Sequence, residues 1–173
     1  SSKITVDLPK KDVHAKMEVF YNPVMKSNRN ISILLLNSIE NQNMNLALPL
    51  AGSGIRGLRF LKELNKGKIS NLFVNDRKDN FVKVFKNNLS LSKIRNTKQI
   101  KIHKEEASLF LLNQVNHDER IRKFCGYFDY IDIDPFGTPV PFLAQSLNRL
   151  RKSGIVAVTA TDTSALCGTY PKA

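Results

Sequence analysis

Short segments rich in strand-forming residues alternate with amphipathic helical segments along this chain, and this alternation limits the possible folds more than any other feature. The predicted strands are 46–50, 72–76, 99–103, 128–134 and 155–161. The predicted helices are 24–40, 55–65, 78–90, 109–115 and 142–151. Strands that alternate with helices form parallel sheets, because each helix returns the chain to the edge where the next strand begins. The sequence therefore predicts an α/β fold with a doubly wound, mostly parallel sheet.

The segment 1–22 precedes this alternating region and is polar and charged, with weak alternation at Ile4, Val6 and Leu8. We predict that it forms an N-terminal arm or an edge strand. No repeat, low-complexity stretch or linker divides 23–173, which we predict to be one domain. A sheet of this kind usually continues after its fifth strand, so we expect 23–173 to be an incomplete domain.

Composition narrows the class of partner. The chain has 27 Lys and Arg against 15 Asp and Glu, a formal net charge of +12, which favours a polyanionic partner such as nucleic acid. Its two cysteines, Cys125 and Cys167, form no zinc or disulfide pattern and fit a reducing compartment. With no signal peptide and no apolar run long enough to span a bilayer, we expect a cytosolic or nuclear protein without a membrane contact.

A glycine motif, Gly52-x-Gly54-x-x-Gly57, lies between the first predicted strand and its helix. Glycines at this position let the backbone approach a ligand closely, and Asp76 follows at about the distance at which an acid binds ribose hydroxyls. The motif is shared by enzymes that bind dinucleotides and by enzymes that bind S-adenosylmethionine. A basic side chain nearby, Arg56 or Arg59, could hold a methionine carboxylate. Alternatively, Asp76 only caps the following helix.

The fourth predicted strand ends at Asp134-Pro135-Phe136-Gly137. As a minimal interpretation, Asp134 caps a turn. The stretch also resembles the (Asp/Asn)-Pro-Pro-aromatic motif of methyltransferases that modify exocyclic amino groups of bases. Such an amino group is a weak nucleophile, and an acceptor on its N–H raises its electron density and takes up the proton. The Asp134 carboxylate, with the carbonyl of Asp134 or Pro135, suits this role, and Phe136 offers a face for stacking of a flipped-out base.

Five segments together resemble the tRNA (guanine-26, N2)-dimethyltransferase family: 20–29, 51–60, 75–76, 131–139 and 159–162. The resemblance runs from about Glu18 onward. It implies a Rossmann-like fold of the class I methyltransferase type. It also implies methyl transfer from S-adenosylmethionine to N2 of guanine 26 in tRNA, once or twice. The family continues beyond Pro171, where it completes the sheet and adds a domain that helps to bind tRNA, so the resemblance identifies this chain as the N-terminal catalytic part.

The resemblance also implies the site residues. Asp134, Pro135 and Phe136 would be catalytic. Cofactor binding would involve seven residues: Arg29, Gly52, Gly54, Arg59, Asp76, Glu106 and Ala107. Arg29 and Arg59 would contact the carboxylate end of the cofactor, and Asp76 would hold the ribose. Glu106 would accept from the adenine amino group, and the backbone N–H of Ala107 would donate to a ring nitrogen. The family more often has Asp-Ala here, so Glu105 is the alternative to Glu106.

Two other function classes remain open from the residues alone. A nicotinamide-dependent dehydrogenase could use the same loop and acid, but it needs a catalytic Lys, His or Tyr near the sheet edge, and His14, His103 and His117 are poorly placed for this. A non-catalytic RNA-binding module would explain the charge but not the acids that follow the strands. Without the family resemblance, Arg29 is expected to be an exposed charge and His103 a half-buried strand residue. No protein partner is implied.

Overall fold

The structure, a computed structural model, describes residues 21–113, 127–161 and 167. The predictions for the arm up to residue 20 and for His14, His117 and Cys125 lie outside these residues. Five strands form one sheet: β1 Met44–Leu48, β2 Ile69–Asn75, β3 Ile100–His103, β4 Phe128–Ile133 and β5 Leu150–Val158. Their order in the sheet is β3-β2-β1-β4-β5, and neighbouring strands are parallel. The predicted α/β fold with a parallel sheet is confirmed.

Five α-helices connect or precede the strands: α1 Lys26–Ser38, α2 Ile55–Glu63, α3 Phe81–Leu91, α4 Ala107–Asn113 and α5 Val140–Arg149. A 3-10 turn, Pro23–Met25, leads into α1, and the Asn22 side chain accepts a hydrogen bond from the Val24 N–H at 3.0 Å. The N-cap of α1 is Met25, and Asn28 and Asn30 both lie within the helix. No helix in the described part of the chain is long and apolar enough to cross a membrane.

The largest boundary error concerns β5, which we predicted at 155–161. The strand begins at Leu150 and ends at Val158. Lys152-Ser153-Gly154 has the composition of a turn, but the strand runs through it. Ser153 adopts a positive φ of 63°, and the pairing of β4 with β5 shifts register in the same region. The turn-forming residues therefore produce a bulge, in which β5 takes up three more residues than β4 between the pairs Phe128–Leu150 and Tyr130–Ile155 without ending the strand.

The two faces of the sheet have separate cores, because successive side chains of a strand point to opposite faces. On one face, Leu46 and Tyr130 pack with Leu36 of α1 and Leu58 of α2. On the other face, Phe110 and Leu111 of α4 pack against apolar side chains of the strands: Ala47, Phe73, Phe128, Ile131 and Ile133. Covering both faces keeps the central strands dry, and β1 is buried along its whole length.

The strand order places a crevice at one end of the sheet. The connection after β1 leads to β2 on one side, whereas β4 lies on the other side of β1. Loops that leave β1 and β4 therefore diverge at their carboxyl ends, and ligands of open α/β sheets bind in the gap between such loops. Both motifs found in the sequence follow these two strands, since Gly52 comes after β1 and Asp134 directly follows β4.

Candidate functional site

The glycine loop after β1 has the backbone conformation that its sequence demands. Gly52 has a φ of 56° and Gly54 a φ of 77°, both in the left-handed region that favours glycine. Gly54 is also the residue from which α2 begins. From α3, the Asn88 side chain donates to the carbonyl of Ser53 at 3.1 Å. The loop is thus fixed both by its own turn and by a buried amide from another helix.

We expect Gly54→Ala to destabilise the fold by about 2–5 kcal/mol. A left-handed conformation costs a residue with a Cβ about 1–2 kcal/mol. The new Cβ would also lie 2.2 Å from Cδ2 of the buried Phe85 ring, so the ring would have to move, and overpacking of this kind costs about 1–3 kcal/mol. Chemical denaturation of the variant and the unchanged protein measures the difference.

Gly137→Ala is the matched control, because Gly137 has a φ of 83° but a Cβ there would meet nothing within 4 Å. Its free energy of unfolding should fall only by the cost of the left-handed conformation, about 1–2 kcal/mol. Equal losses for the two variants would contradict the role given to the contact with Phe85.

Asp76 lies directly after β2 and holds two backbone groups. Its Oδ2 accepts from the Gly52 N–H at 2.8 Å, and its Oδ1 accepts from the Lys78 N–H at 3.1 Å. The interpretation of Asp76 as a helix cap is wrong, because α3 begins at Phe81 and Asp76 instead fixes the turn before it. An ionised carboxylate has about four acceptor sites. Asp76 can therefore support the glycine loop and still accept from a ligand.

Asn75, the last residue of β2, connects the loops that follow three strands. Its side-chain NH₂ donates to the Pro49 carbonyl at 2.9 Å and to the Glu105 carbonyl at 3.0 Å, and its Oδ1 accepts from the Glu105 N–H at 2.9 Å. Asn75 is fully buried. The sequence analysis gave it no role, although its place at the end of a strand beside Asp76 was a usable signal.

Glu106 and Ala107 lie where α4 begins, two residues earlier than the predicted start at 109. Glu106 Oε2 accepts from the backbone N–H groups of Ser108 at 2.7 Å and Leu109 at 3.0 Å, and so caps the helix. Glu105 instead accepts from the Asn113 side chain at 2.9 Å. Of the two candidate glutamates, Glu106 is the one that lines a cavity together with Ala107.

Asp134, Pro135 and Phe136 form the loop that leaves β4. The Asp134 side chain is 29% exposed, Pro135 is buried, and Phe136 is 47% exposed. Thr161, after β5, holds this loop by two hydrogen bonds: its Oγ1 accepts from the Gly137 N–H at 2.8 Å, and its N–H donates to the Gly137 carbonyl at 3.1 Å. The loop therefore presents a carboxylate and an aromatic ring from a fixed backbone.

Two adjoining cavities lie at this edge of the sheet. The first is lined by Tyr21, Arg29 and Arg56, and the second by Asp76, Glu106 and Ala107. Both cavities share the same dividing wall, formed by Leu50, Gly52, Asp134, Pro135 and Phe136. All ten predicted site residues except Gly54 and Arg59 thus line one divided cleft.

Arg59 points away from this cleft. It donates to both carboxylate oxygens of Glu63, at 2.8 and 2.6 Å, and to Oδ1 of Asn30 at 2.8 Å. The hydrogen bond to Arg59 lowers the pKa of Glu63 below its ordinary value, and the bond to Glu63 raises the pKa of Arg59. Because residues four apart share one side of a helix, Arg59 pairs along α2, and the structure does not bring it to the other predicted residues.

Arg29 is only 5% exposed, so the expectation of an exposed charge is wrong. Its guanidinium lies 5.0 Å from the centre of the Tyr21 ring and donates to the Asn22 carbonyl at 3.2 Å and the Tyr21 hydroxyl at 3.3 Å. Burial lowers the pKa of Arg29. A buried cation on a cavity wall suits an anionic ligand group. His103, in contrast, is half-buried in β3, as the residues alone predicted.

A buried charge cluster beside the dividing wall was not predicted from the sequence. The Arg56 guanidinium lies 3.1 Å from Asp132 and 3.0 Å from Asp134. The Tyr130 hydroxyl donates to Asp132. Burial raises the pKa of Asp132 to about 6, although the attraction of Arg56 opposes this shift. The signal was present in the sequence, because residues 130, 132 and 134 alternate in a strand and must share one face.

The chain matches, over residues 1–173, the family model described as N2,N2-dimethylguanosine tRNA methyltransferase. It is 43% identical over 155 residues to the tRNA (guanine(26)-N(2))-dimethyltransferase of Methanobrevibacter smithii, covering 88% of this chain and 36% of that protein. It is 39% identical to the tRNA (guanine(26)-N(2)/guanine(27)-N(2))-dimethyltransferase of Aquifex aeolicus, covering 99% of this chain and 41% of that protein. The chain thus spans about two fifths of the length of these relatives.

Solved structures give the same result for the fold. Trm1 from Pyrococcus horikoshii, determined in complex with S-adenosyl-L-methionine, is 31% identical with a TM-score of 0.76 and covers 99% of this chain and 44% of that chain. The ribosomal protein L11 methylase of Lactobacillus delbrueckii subsp. bulgaricus is 20% identical with a TM-score of 0.63, covering 88% of this chain and 67% of that chain. The likeness to these structures confirms the predicted fold class, that of the class I S-adenosylmethionine-dependent methyltransferases.

Proposed function

Because this chain belongs to the N2,N2-dimethylguanosine tRNA methyltransferase family, we propose that the protein transfers methyl groups from S-adenosylmethionine to the exocyclic N2 of guanine 26 in tRNA. The products are N2-methylguanosine and N2,N2-dimethylguanosine. The observation that carries this proposal is the position of Asp134-Pro135-Phe136, which forms part of the wall between the two cavities. The glycine loop alone left a nicotinamide-dependent dehydrogenase open, and family membership favours the methyltransferase.

The second cavity fits the adenosine part of the cofactor. The backbone of Gly52 reaches its wall without a side chain, and the Asp76 carboxylate lies beside it. We assign Asp76 to the ribose hydroxyls, Glu106 to the adenine amino group and the Ala107 N–H to a ring nitrogen. These groups offer acceptors for hydroxyl and amino donors and a donor for a ring acceptor, which is the polarity that adenosine requires.

The first cavity fits the methionine part of the cofactor. We assign the buried guanidinium of Arg29 to the methionine carboxylate, because an arginine binds a carboxylate through two parallel hydrogen bonds. Arg59 was the other residue implied in this contact. It lies outside the cleft and is paired with Glu63, so its role in cofactor binding stays a prediction.

Asp134 supplies the acceptor that the reaction needs. The cofactor, when bound, supplies an electrophilic methyl group on a sulfonium. The lone pair of guanine N2 is delocalised into the ring, and an N–H···Oδ hydrogen bond to Asp134 returns electron density to N2. As the C–N bond forms, the bond between the methyl group and the sulfonium would break and leave a neutral thioether, and N2 loses a proton, which the Asp134 carboxylate can accept. The Pro135 carbonyl can accept a second N–H, and Phe136 can stack on a base that has left its helix.

A tRNA substrate also fits the charge of the chain. The net charge of +12 attracts phosphates, and affinity carried by phosphate contacts falls steeply as salt concentration rises. Binding of tRNA by the complete protein is part of the proposal, as is a cytoplasmic location.

Calorimetric titration of the complete protein with S-adenosylmethionine tests the cofactor assignment, with NAD as the control. We expect binding of S-adenosylmethionine only. Incubation with unmodified tRNA should then produce N2-methylated guanosine, detected by mass spectrometry of the nucleosides. A transcript in which adenine replaces guanine 26 should remain unmethylated. Binding of NAD alone, or equal methylation of both transcripts, would reject the proposed function.

A further inference from the structure

Three polar side chains form a row on β4 that runs from the core to the cleft. Tyr130 is fully buried in the core on the α1–α2 side of the sheet, and Asp132 is 3% exposed. Asp134 lies directly after the strand and lines the cleft. Because side chains alternate between the two faces of a strand, residues 130, 132 and 134 all lie on the same face. The row therefore links the carboxylate at the cleft to a carboxylate in the interior.

Arg56 of α2 lies against this row and is almost completely enclosed, with 6% of its surface exposed. Its NH1 donates to the Ser32 hydroxyl at 2.8 Å and pairs with Asp132 Oδ2 at 3.1 Å. Its NH2 donates to Oδ1 of Asn28 at 2.7 Å and to Oδ2 of Asp134 at 3.0 Å. Three of these four partners lie in α1 or β4, and Asp132 and Asp134 both line the first cavity.

From this geometry we infer that Arg56 is a positioning residue for methyl transfer: it fixes the Asp134 carboxylate by occupying Oδ2, so that Oδ1 faces the amino group of the substrate. The inference rests on the proposed function. Arg56 acts through Asp134. It differs in this from Arg29, which we assign to the cofactor.

The physical reason lies in the fork of the guanidinium. A planar group with fixed N–H directions, held by Ser32, Asn28 and Asp132, can offer the remaining N–H to Asp134 in one geometry only. The acceptor must meet the N–H within a few tenths of an ångström, so the rate of methyl transfer falls steeply when the carboxylate is free to rotate. A misplacement of about 1 Å can lower the rate about 100-fold. Lysine keeps the positive charge but has no fork, so it cannot reproduce this arrangement.

Arg56→Lys in the complete protein tests the inference. We expect kcat for methylation of tRNA to fall by about 10- to 100-fold. The Kd of S-adenosylmethionine and the KM for tRNA should each change by less than about 3-fold, since a positioning residue acts on the reacting geometry and leaves ground-state binding unchanged. An unchanged kcat, or a loss confined to Kd or KM, would overturn the inference.

Arg151→Lys is the matched control. Arg151 pairs with Asp129 at 3.1 Å, at the opposite end of β4 from the cleft, so the same substitution weakens another ion pair of β4, a more exposed one, far from Asp134. Its kcat should stay within about 2-fold of that of the unchanged protein. An equal fall in kcat for both Lys variants would show a general effect of weakening β4 and would refute the positioning role.

A second variant covers the case in which Arg56→Lys does not fold. Asn28→Ala removes one of the groups that hold the guanidinium and leaves Arg56 and Asp134 in place. We expect a fall of about 3-fold in kcat with the Kd of S-adenosylmethionine unchanged, and no change in kcat would reject the inference. Failure of the unchanged protein to methylate guanine 26 would instead reject the proposed function, so the two failures are distinguishable.

Discussion

Asp134→Ala should reduce the rate of methyl transfer to tRNA by about 1,000-fold, within the range that general acid–base groups contribute. The substitution removes the carboxylate that we propose as the acceptor for the N–H of guanine N2. It leaves Asp76, Glu106 and Ala107 in place around the second cavity. We therefore expect the Kd of S-adenosylmethionine to change by less than about 3-fold, because no cofactor contact is lost. Single-turnover methylation and calorimetry measure the two quantities.

Asp79→Ala serves as the control for Asp134→Ala. The Asp79 side chain is 98% exposed and pairs with Lys104 on the surface, so its loss should leave both the rate and the Kd unchanged. Normal turnover by Asp134→Ala would reject the assignment of the acceptor. A parallel loss of cofactor affinity would show instead that Asp134 supports the shape of the cleft.

Asp76→Ala should weaken the binding of S-adenosylmethionine by about 10- to 100-fold. Hydrogen bonds to a charged group contribute about 1.5–3 kcal/mol, which corresponds to one to two powers of ten in Kd. The variant loses the acceptor that we assign to the ribose hydroxyls and also the support of the Gly52 N–H at 2.8 Å. At saturating cofactor the rate should recover most of its value, since the reacting groups remain. Calorimetric titration gives the Kd directly.

Asp76→Asn separates the two contributions of Asp76. The amide oxygen can still accept one backbone N–H, so the glycine loop keeps part of its support while the negative charge is lost. We expect its Kd to lie between those of the unchanged protein and Asp76→Ala. If Asp76→Ala binds S-adenosylmethionine as tightly as the unchanged protein does, the ribose assignment is refuted.

The architecture was predicted well from the sequence, because a fold of this kind depends on local sequence patterns. Alternating strands and helices define a parallel sheet, and the glycines and acids at strand ends place the cleft. Boundaries were less predictable where residues with turn propensity lie inside a strand. Ser153 in β5 shows this, because pairing with β4 outweighs the local preference for a turn. Only the tertiary partner decides between a turn and a bulge at such a position.

The charged residues of the site were harder to predict than its glycines. Arg56 and Arg59 are three residues apart in one helix, and the sequence alone does not say which of them points inward. The structure buries Arg56 against Asp132 and Asp134 and leaves Arg59 with Glu63. Burial of a charge depends on partners that come from distant parts of the chain. The row of residues 130, 132 and 134 was the one local sign that a buried cation was needed.

The buried amide of Asn75 has a consequence for the thermodynamics of ligand binding. One side chain fixes the loops after β1, β2 and β3 relative to one another. A cavity whose walls are already tied together loses little conformational entropy when a ligand enters, so less of the interaction energy is spent on ordering loops. For the second cavity, which we assign to the adenosine part of the cofactor, a single interior amide therefore couples the folding of three loops to ligand recognition.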